Sequence, residues 1–367
     1  MVLSKRLFMD GSKLSFHPET VKRFLAGEQI FPIHVEMSPS SGCNQRCILC
    51  CVDYKQHKRK DLSEDLMRRI PEDFAEAGVK SYLFAGEGEP FLNPACIPMV
   101  QRAKELGVDG AMTSNGILFT PYVAEQTMPG FSWIRFSIQS FNPEIFSYIH
   151  QVNPNQLKIT IENIKQSVRI KQEGKLETKI GIQQILLNEN WDNIIESAKR
   201  AKELGVDYWT IKRFAKHPLN NYNVPENLHE QCEEQFREAE TLSDNKFKVV
   251  IRRNQFENQP RTYNQCIALP FIVQLLADGK LYPCCQFYGN PQMAYGDMYK
   301  NTLKEIMSGE RAKKIIETIS KDYDVDKNNC MTYCRHHSTN LYLHSVIKGT
   351  IKVEEDPREI PEHVNFI

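Results

Sequence analysis

The sequence predicts an α/β fold, a parallel sheet covered by helices, with a small α+β hairpin unit after it. First, the segment Ala103-Lys104-Glu105-Leu106-Gly107-Val108-Asp109 recurs as Ala201-Lys202-Glu203-Leu204-Gly205-Val206-Asp207, and more loosely as Glu76-Ala77-Gly78-Val79-Lys80. Each copy reads as the last turn of a helix, a left-handed glycine cap and the entry to a buried strand. Second, six apolar strand-like runs (30–37, 79–84, 108–113, 133–138, 178–187 and 206–211) alternate with helical stretches, the rhythm of parallel strands under helices. Third, the chemically suggestive motifs each follow one of these runs. That is the rim where parallel sheets and barrels keep their chemistry.

The 367 residues allow two domains or one large one, and 41% hydrophobic content supplies a sizeable core. Forty-six basic and forty-six acidic residues cancel, so there is no overall pull toward nucleic acid or an anionic membrane. No apolar run approaches the ~18 residues of a membrane span, and residues 1–10 lack a signal-peptide pattern. A cytoplasmic protein with neither nucleic-acid nor membrane partner is expected. Eleven cysteines in a long chain of this kind point to metal or catalysis.

In order, residues 1–29 read as an N-terminal cap with a short amphipathic helix over 18–26. The first strand leads into Cys43-Asn44-Gln45-Arg46-Cys47-Ile48-Leu49-Cys50. Three cysteines at these gaps suit three irons of one cube and leave a fourth corner open, because closed clusters usually take four cysteines. Zinc favours paired C-x2-C spacings and four ligands, which fits this loop poorly. Residues 52–60 form a basic return loop, and 63–77 a helix ended by Gly78. Gly86-Glu87-Gly88-Glu89-Pro90 follows the second strand, Ser114-Asn115-Gly116 the third, Asn188-Glu189-Asn190 the fifth and Lys212-Arg213 the sixth, while Ser137-Ile138-Gln139-Ser140 closes the fourth. Glu189, Lys212 and Arg213, with His217, are candidate substrate contacts. His150 reads as a surface histidine, and Cys96 and Cys232 as helix packing.

The rhythm breaks near residue 242, which suggests a barrel unit over 30–242, a second unit over 243–345 and a C-terminal tail over 346–367. A strand at 249–252 is followed by a hairpin, 271–276 with 281–282, turned by Asp278-Gly279. Cys266 and Cys284 bracket that hairpin, and Cys330 and Cys334 lie one helical turn apart. These four suit a closed iron-sulfur cluster or a zinc site, with His336 or His337 as alternative zinc ligands. Cys51 and Cys285 are left over.

The Cys43–Cys50 loop resembles the signature of the radical S-adenosylmethionine (SAM) superfamily, with one departure: Leu49 stands where an aromatic residue is common. The resemblance implies a partial (β/α)6 TIM barrel. It also implies a 4Fe-4S cluster on Cys43, Cys47 and Cys50 whose open iron chelates the amino and carboxylate groups of SAM. The segment holding Gly86, Gly88 and Glu89 is similar to the superfamily's Gly-Gly-Glu segment, which binds the SAM amino group. Asn115 and Ser137 match positions that contact ribose or carboxylate, and Gln184 lies near the adenine region. Cys266, twelve residues, Gly279, four residues, Cys284 resembles the opening of the twitch or SPASM extension, and Gly296-Asp297-Met298 with Leu303-Lys304-Glu305-Ile306 resembles its continuation. Cys266, Cys284, Cys330 and Cys334 would then carry one auxiliary 4Fe-4S cluster, as in twitch; the seven-cysteine SPASM set is not met.

What this likeness implies in function is an enzyme served by a flavodoxin- or ferredoxin-type electron donor. It would cleave SAM reductively to a 5'-deoxyadenosyl radical and abstract hydrogen from a small polar substrate. Oxidation or epimerisation of a sugar, aminocyclitol or nucleotide sugar is expected, with Cys285 a candidate hydrogen-atom donor. The alternative is a peptide-modifying enzyme, for which thirty residues before the first strand are few for a recognition domain. From another class come an iron-sulfur electron carrier and a zinc-organised interaction protein, neither of which explains motifs sharing one rim.

Overall fold

The computed structural model describes residues 9–367 apart from 57, 218, 257–260, 332–333, 355 and 357. The first eight residues of the expected cap therefore lie outside the described residues. Strands β1 (His34–Met37), β2 (Ser81–Phe84), β3 (Asp109–Ser114), β4 (Phe131–Ser137), β5 (Lys179–Ile185), β6 (Tyr208–Lys212) and β7 (Lys248–Ile251) pair side by side in chain order, all parallel. Helices α1 (Pro18–Leu25), α2 (Glu64–Ala77), α3 (Cys96–Glu105), α4 (Pro121–Thr127), α5 (Pro143–His150), α6 (Asn155–Glu173), α7 (Ile194–Glu203) and α8 (Glu233–Glu240) precede or connect them. Short strands and parallel pairing agree with the partial barrel expected.

Local chemistry explains the boundaries. The Ser63 hydroxyl accepts from the Leu66 amide and starts α2, and Gly78, at φ 78°, ends it. Gly107 and Gly205, in the two copies of the repeat, are left-handed as well, at φ 73° and 76°. The two closing aspartates then diverge. Asp207 binds Lys171 and the Ile180 amide, whereas Asp109 accepts from the Asn365 side chain.

Alternation along each strand separates two faces. Val35, Met37, Tyr82, Phe84, Met112, Ile134, Phe136, Ile180, Ile182, Trp209 and Ile211 join the helices in the main core. The opposite face carries His34, Glu36, Leu83, Trp133, Arg135, Gln183, Tyr208 and Lys212. Laid flat, β1 and β6 would stand roughly 24 Å apart at the usual strand spacing. Yet Asn220, in the loop after β6, donates to the Cys50 carbonyl, in the loop after β1, at 2.7 Å. The sheet therefore curls, and this second face is its interior.

The expected boundary at 242/243 does not divide the sheet. β7 extends it beyond β6, and β8 (Ile272–Leu275) returns to the other side and pairs in parallel with β1, His34 opposite Ile272. β9 (Lys280–Tyr282) and β10 (Gly296–Asp297) continue it antiparallel. Helices α9 (Leu303–Ser308), α10 (Glu310–Lys321) and α11 (His337–Ile347) follow. The expected tail is also built in. Phe366 is fully buried against Leu83, Ala111 and Trp133, and the Asn365 carbonyl accepts from Ser81 Oγ at 2.6 Å. Glu362 pairs with Lys179 at 3.5 Å, and Lys13 donates to the His363 carbonyl at 2.9 Å. Residues 362–367 thus close the amino-terminal end of the barrel, opposite the rim that carries the motifs.

Candidate active site at the carboxyl rim

The cysteine loop hangs from the end of β1 and is held by its neighbours' strand ends. The Glu89 amide donates to the Gly42 carbonyl at 2.8 Å. The Glu89 carboxylate accepts from Ser114 Oγ at 2.7 Å and from the Asn115 amide at 2.9 Å. Asn115 Nδ2 donates to Asn44 Oδ1 at 2.6 Å. The ends of β2 and β3 are therefore fastened to the loop beside Cys43. Burial raises the Cys43 thiol to about 11, helped by the nearby Glu89 charge; burial likewise lifts Glu89 to about 7.

The glycines of the turn are sterically required. A Cβ on Gly88, at φ +73°, would sit 2.1 Å from the Ser40 carbonyl oxygen and 2.5 Å from that of Gly42. On Gly86, at φ +94°, it would meet Ser38 Oγ at 2.5 Å. The backbone-to-backbone approach at Gly88 excludes any side chain, whereas at Gly86 the obstacle is the Ser38 side chain. Glu87 between them is buried and paired with Lys55 of the return loop, so that loop covers the turn.

His150 corrects the sequence reading. It is 1% exposed, and its Nδ1 stands 2.8 Å from Gln45 Oε1 and 3.2 Å from Cys47 Sγ. Burial pushes it down to about 3, so the ring is neutral. The Arg46 and Ile48 amides donate to the His150 and Ile149 carbonyls, so the end of α5 braces the middle of the loop. A lone histidine carries no period in the sequence; only its place four residues after Phe146, whose ring lies 4.2 Å away, hints at an inward face.

Cys266, Cys284, Cys330 and Cys334 line one pocket with Phe287, Tyr323 and His336. The Cys330 thiol donates to Cys334, which lowers Cys334 to about 7 and raises Cys330. Burial holds Cys266 at about 12, and Asn340 Nδ2 donates to its sulfur at 3.2 Å. The two histidines already use a ring nitrogen on protein: His336 Nε2 lies 3.1 Å from the Ile272 carbonyl, and His337 Nδ1 lies 2.9 Å from Tyr263 OH. Among the described residues no three acidic, histidine or cysteine side chains converge on a single metal point.

Two family models match the chain: the radical SAM superfamily over residues 37–201 and an iron-sulfur cluster-binding domain, SPASM, over residues 266–336. This chain is a radical SAM enzyme with a SPASM-type domain. 4Fe-4S clusters and SAM are accordingly its cofactors. All seven cysteines of the two groups are half-buried.

The chain is 24% identical to the tungsten-containing aldehyde ferredoxin oxidoreductase cofactor-modifying protein of Pyrococcus furiosus, over 74% of this chain and 80% of that protein. It is 24% identical to the GTP 3',8-cyclase of Aquifex aeolicus, over 68% and 81%. In fold it is similar to Streptococcus suis SuiB bound to S-adenosylmethionine, with TM-score 0.62, 16% identity and coverage of 79% and 68%. SuiB bound to precursor peptide SuiA matches over 94% and 78%. No helix among the described residues is long and apolar enough to cross a membrane.

In this radical SAM enzyme the remaining expected residues divide. Ser137 faces the interior at the end of β4, opposite Gln183. Gln184 does not: it shares the helix-facing side with Ile180 and Ile182, fully buried, and neither amide atom has a partner. Strand alternation instead turns Gln183 inward, where its Oε1 accepts from Arg135 at 3.3 Å. Glu189 accepts from Tyr222 OH, and Arg213 stands 4.0 Å from Glu226; both lie toward the outer rim. Lys212 points into the interior. His217 stacks on Tyr54 at 4.9 Å beside the Cys285 backbone.

Cys285 Sγ lies 3.7 Å from Met331 Sδ, and Cys50, Cys51 and Cys285 pack on one apolar cluster with Tyr288. That cluster joins the two cysteine sites. Sequence reasoning missed Tyr288, whose hydroxyl donates to Gln274 and sits 3.4 Å from where a Gly86 Cβ would be. It also missed Glu36, which accepts from Arg335 Nη2 at 2.8 Å and Gln274 Nε2 at 2.9 Å.

Proposed function

We propose that this enzyme takes a hydrogen atom from an alcohol-bearing carbon of a small polar substrate, a sugar, aminocyclitol or nucleotide sugar, and completes an oxidation or an epimerisation. When bound, the first cluster and SAM supply the 5'-deoxyadenosyl radical that removes the hydrogen atom. The observation that supports the reading is the set of polar residues on the inward face of the strands. Ser137, Gln183, Lys212 and Glu36 alternate to that face, and Arg335 joins them through Glu36, donors and acceptors fit for hydroxyl and charged groups.

Cys43, Cys47 and Cys50 would hold the first cluster, with Asn115 and Glu89 fixing the loop and His150 bracing Cys47. Cys266, Cys284, Cys330 and Cys334 would hold the second, a sink for one electron when the outcome is oxidation. Burial pushes the Cys285 thiol up, so it stays protonated, as a hydrogen-atom donor in epimerisation requires.

The peptide-modifying alternative draws on the fold likeness to SuiB solved with a precursor peptide. The test begins with anaerobic reconstitution and incubation with SAM and dithionite. Formation of 5'-deoxyadenosine above a Cys50→Ala control is expected, and its absence removes the enzyme reading. Carbon-deuterated sugars, aminocyclitols and nucleotide sugars are then supplied. Deuterium appearing in 5'-deoxyadenosine supports the substrate class, while transfer only from deuterated peptides moves the reading to the alternative. In D2O, label at the substrate carbon indicates epimerisation, and a ketone without label indicates oxidation.

A further inference from the structure

The barrel interior holds more positive than negative side chains. Alternation along the strands turns Arg135 of β4 and Lys212 of β6 inward with Tyr208 and Thr210. Arg252, just after β7, follows the inward Val250, which packs on Tyr208. Because Ile211 pairs with Ile251, Lys212 and Arg252 stand next to each other at adjoining strand ends. Arg335 enters from the C-terminal unit, beside Cys334. Against these stand Glu36, already bonded to Arg335 and Gln274, and Asp10 near Arg252.

The guanidiniums of Arg135 and Arg335 have hydrogen-bond partners, and the Lys212 ammonium has none among the described residues. Arg135 lies over the Trp133 ring at 4.6 Å and donates to Tyr208 OH at 3.2 Å and to Gln183. Arg335 is engaged with Glu36. The Lys212 carbonyl accepts from the Leu186 amide, but its ammonium makes no hydrogen bond and no ion pair among the described residues, although protein encloses it. Part of its surface stays reachable, as expected of a side chain lining an internal space. Burial, then Arg252, Arg335 and Arg135, lower it to about 7. An ammonium enclosed among guanidiniums without a counter-charge is held at a cost in stability, and functional sites are where such costs persist.

We propose that Lys212, backed by Arg252 and Arg335, seats an anionic group of the substrate, a carboxylate or phosphate, between the first cysteine loop and the auxiliary pocket. This rests on the reading above that the interior is the substrate site. The position fits: Lys212 ends β6, whose following loop reaches the Cys50 carbonyl through Asn220 Nδ2 at 2.7 Å, and Arg335, next to Cys334, is bonded to Glu36 of β1. An anion there would be oriented across the space separating the two cysteine sites.

The test uses the reconstituted holoenzyme titrated calorimetrically with inorganic phosphate at constant ionic strength, with and without saturating SAM. Saturable binding at one site is expected, weakened by about tenfold or more in Lys212→Gln and largely kept in Lys212→Arg, as for a charge-assisted contact. Ligand-free Lys212→Gln is expected to melt at or above the wild-type temperature, because an uncompensated charge has gone. The proposal is overturned if wild type binds no phosphate, if Lys212→Gln binds it equally, or if Lys212→Gln melts several degrees lower. It is also overturned if SAM displaces phosphate, since the seat would then belong to the SAM carboxylate. Wild-type SAM cleavage is measured in the same preparation. Phosphate binding without 5'-deoxyadenosine rejects the enzyme reading and keeps the anion seat; 5'-deoxyadenosine without phosphate binding does the reverse.

Discussion

Replacing Gly88 by alanine inserts a methyl carbon 2.1 Å from the Ser40 carbonyl oxygen and 2.5 Å from that of Gly42. An ordinary carbon-oxygen contact is above 3 Å, so the backbone carrying Cys43 must retreat by about 1 Å. Two costs add. Holding alanine at φ +73° costs ~1–2 kcal/mol, and pulling Gly42 away sacrifices the 2.8 Å bond from the Glu89 amide, worth ~1 kcal/mol. The total is ~2–3 kcal/mol before any strain in the loop. Gly27 supplies the control, for it has the same φ of +73° and nothing within 4 Å of a built Cβ. Gly27→Ala pays only the conformational part, ~1–2 kcal/mol.

At roughly 2 °C per kcal/mol for a large domain, Gly88→Ala should melt about 4–6 °C below wild type and clearly below Gly27→Ala. The displaced loop should also fail to retain its cluster, with iron after reconstitution falling from about eight toward about four per chain and the auxiliary signal surviving. Melting by fluorescence, iron by colorimetry and the electron paramagnetic resonance of the reduced protein report on the three effects. If Gly88→Ala melts with Gly27→Ala and keeps full iron, the close approach of turn and loop is not what positions Cys43.

Other consequences are as direct. Phe366→Ala empties a fully buried site against Leu83, Ala111 and Trp133 and should cost ~3–5 kcal/mol, read as a lower urea midpoint; a change below 1 kcal/mol would show that the barrel end is not closed by these residues. Arg335→Met leaves Glu36 buried without its cation and should destabilise by ~3–5 kcal/mol, whereas Arg335→Met combined with Glu36→Gln should recover most of it; an equal loss in the double variant would refute the pair. Lys13, 3% exposed, is lowered from 10.5 to about 7 by burial, so above pH 7 the unfolded chain binds the extra proton and stability rises with pH up to about 10.5. The difference in unfolding free energy between wild type and Lys13→Met should therefore shift by a few kcal/mol in favour of wild type from pH 7 to 10, and a pH-independent difference would refute it. Iron near eight per chain is expected for two cubes; four irons with one zinc would reassign the auxiliary pocket.

Features decided within a few residues were legible before any fold was in hand. The left-handed glycines at 78, 107 and 205 needed only the requirement for positive φ at a helix end. The order of six parallel strands followed from apolar runs separated by helices, since crossovers of that length leave little other choice. Gln184 failed for a local reason as well: period-two alternation places it opposite Gln183, and an error of one residue moves a side chain to the other face.

Tertiary structure alone settled what depends on contacts distant in sequence. His150 meets Cys47 across 103 positions, Arg335 meets Glu36 across 299, and Ser81 meets Asn365 across 284. No local propensity encodes such meetings; they arise when the sheet curls and brings β8 beside β1. The same curl turns Lys212 from one more charge at a strand end into an enclosed ammonium among guanidiniums. Sequence determined which groups the rim would carry, and the closure of the sheet determined which of them face one another.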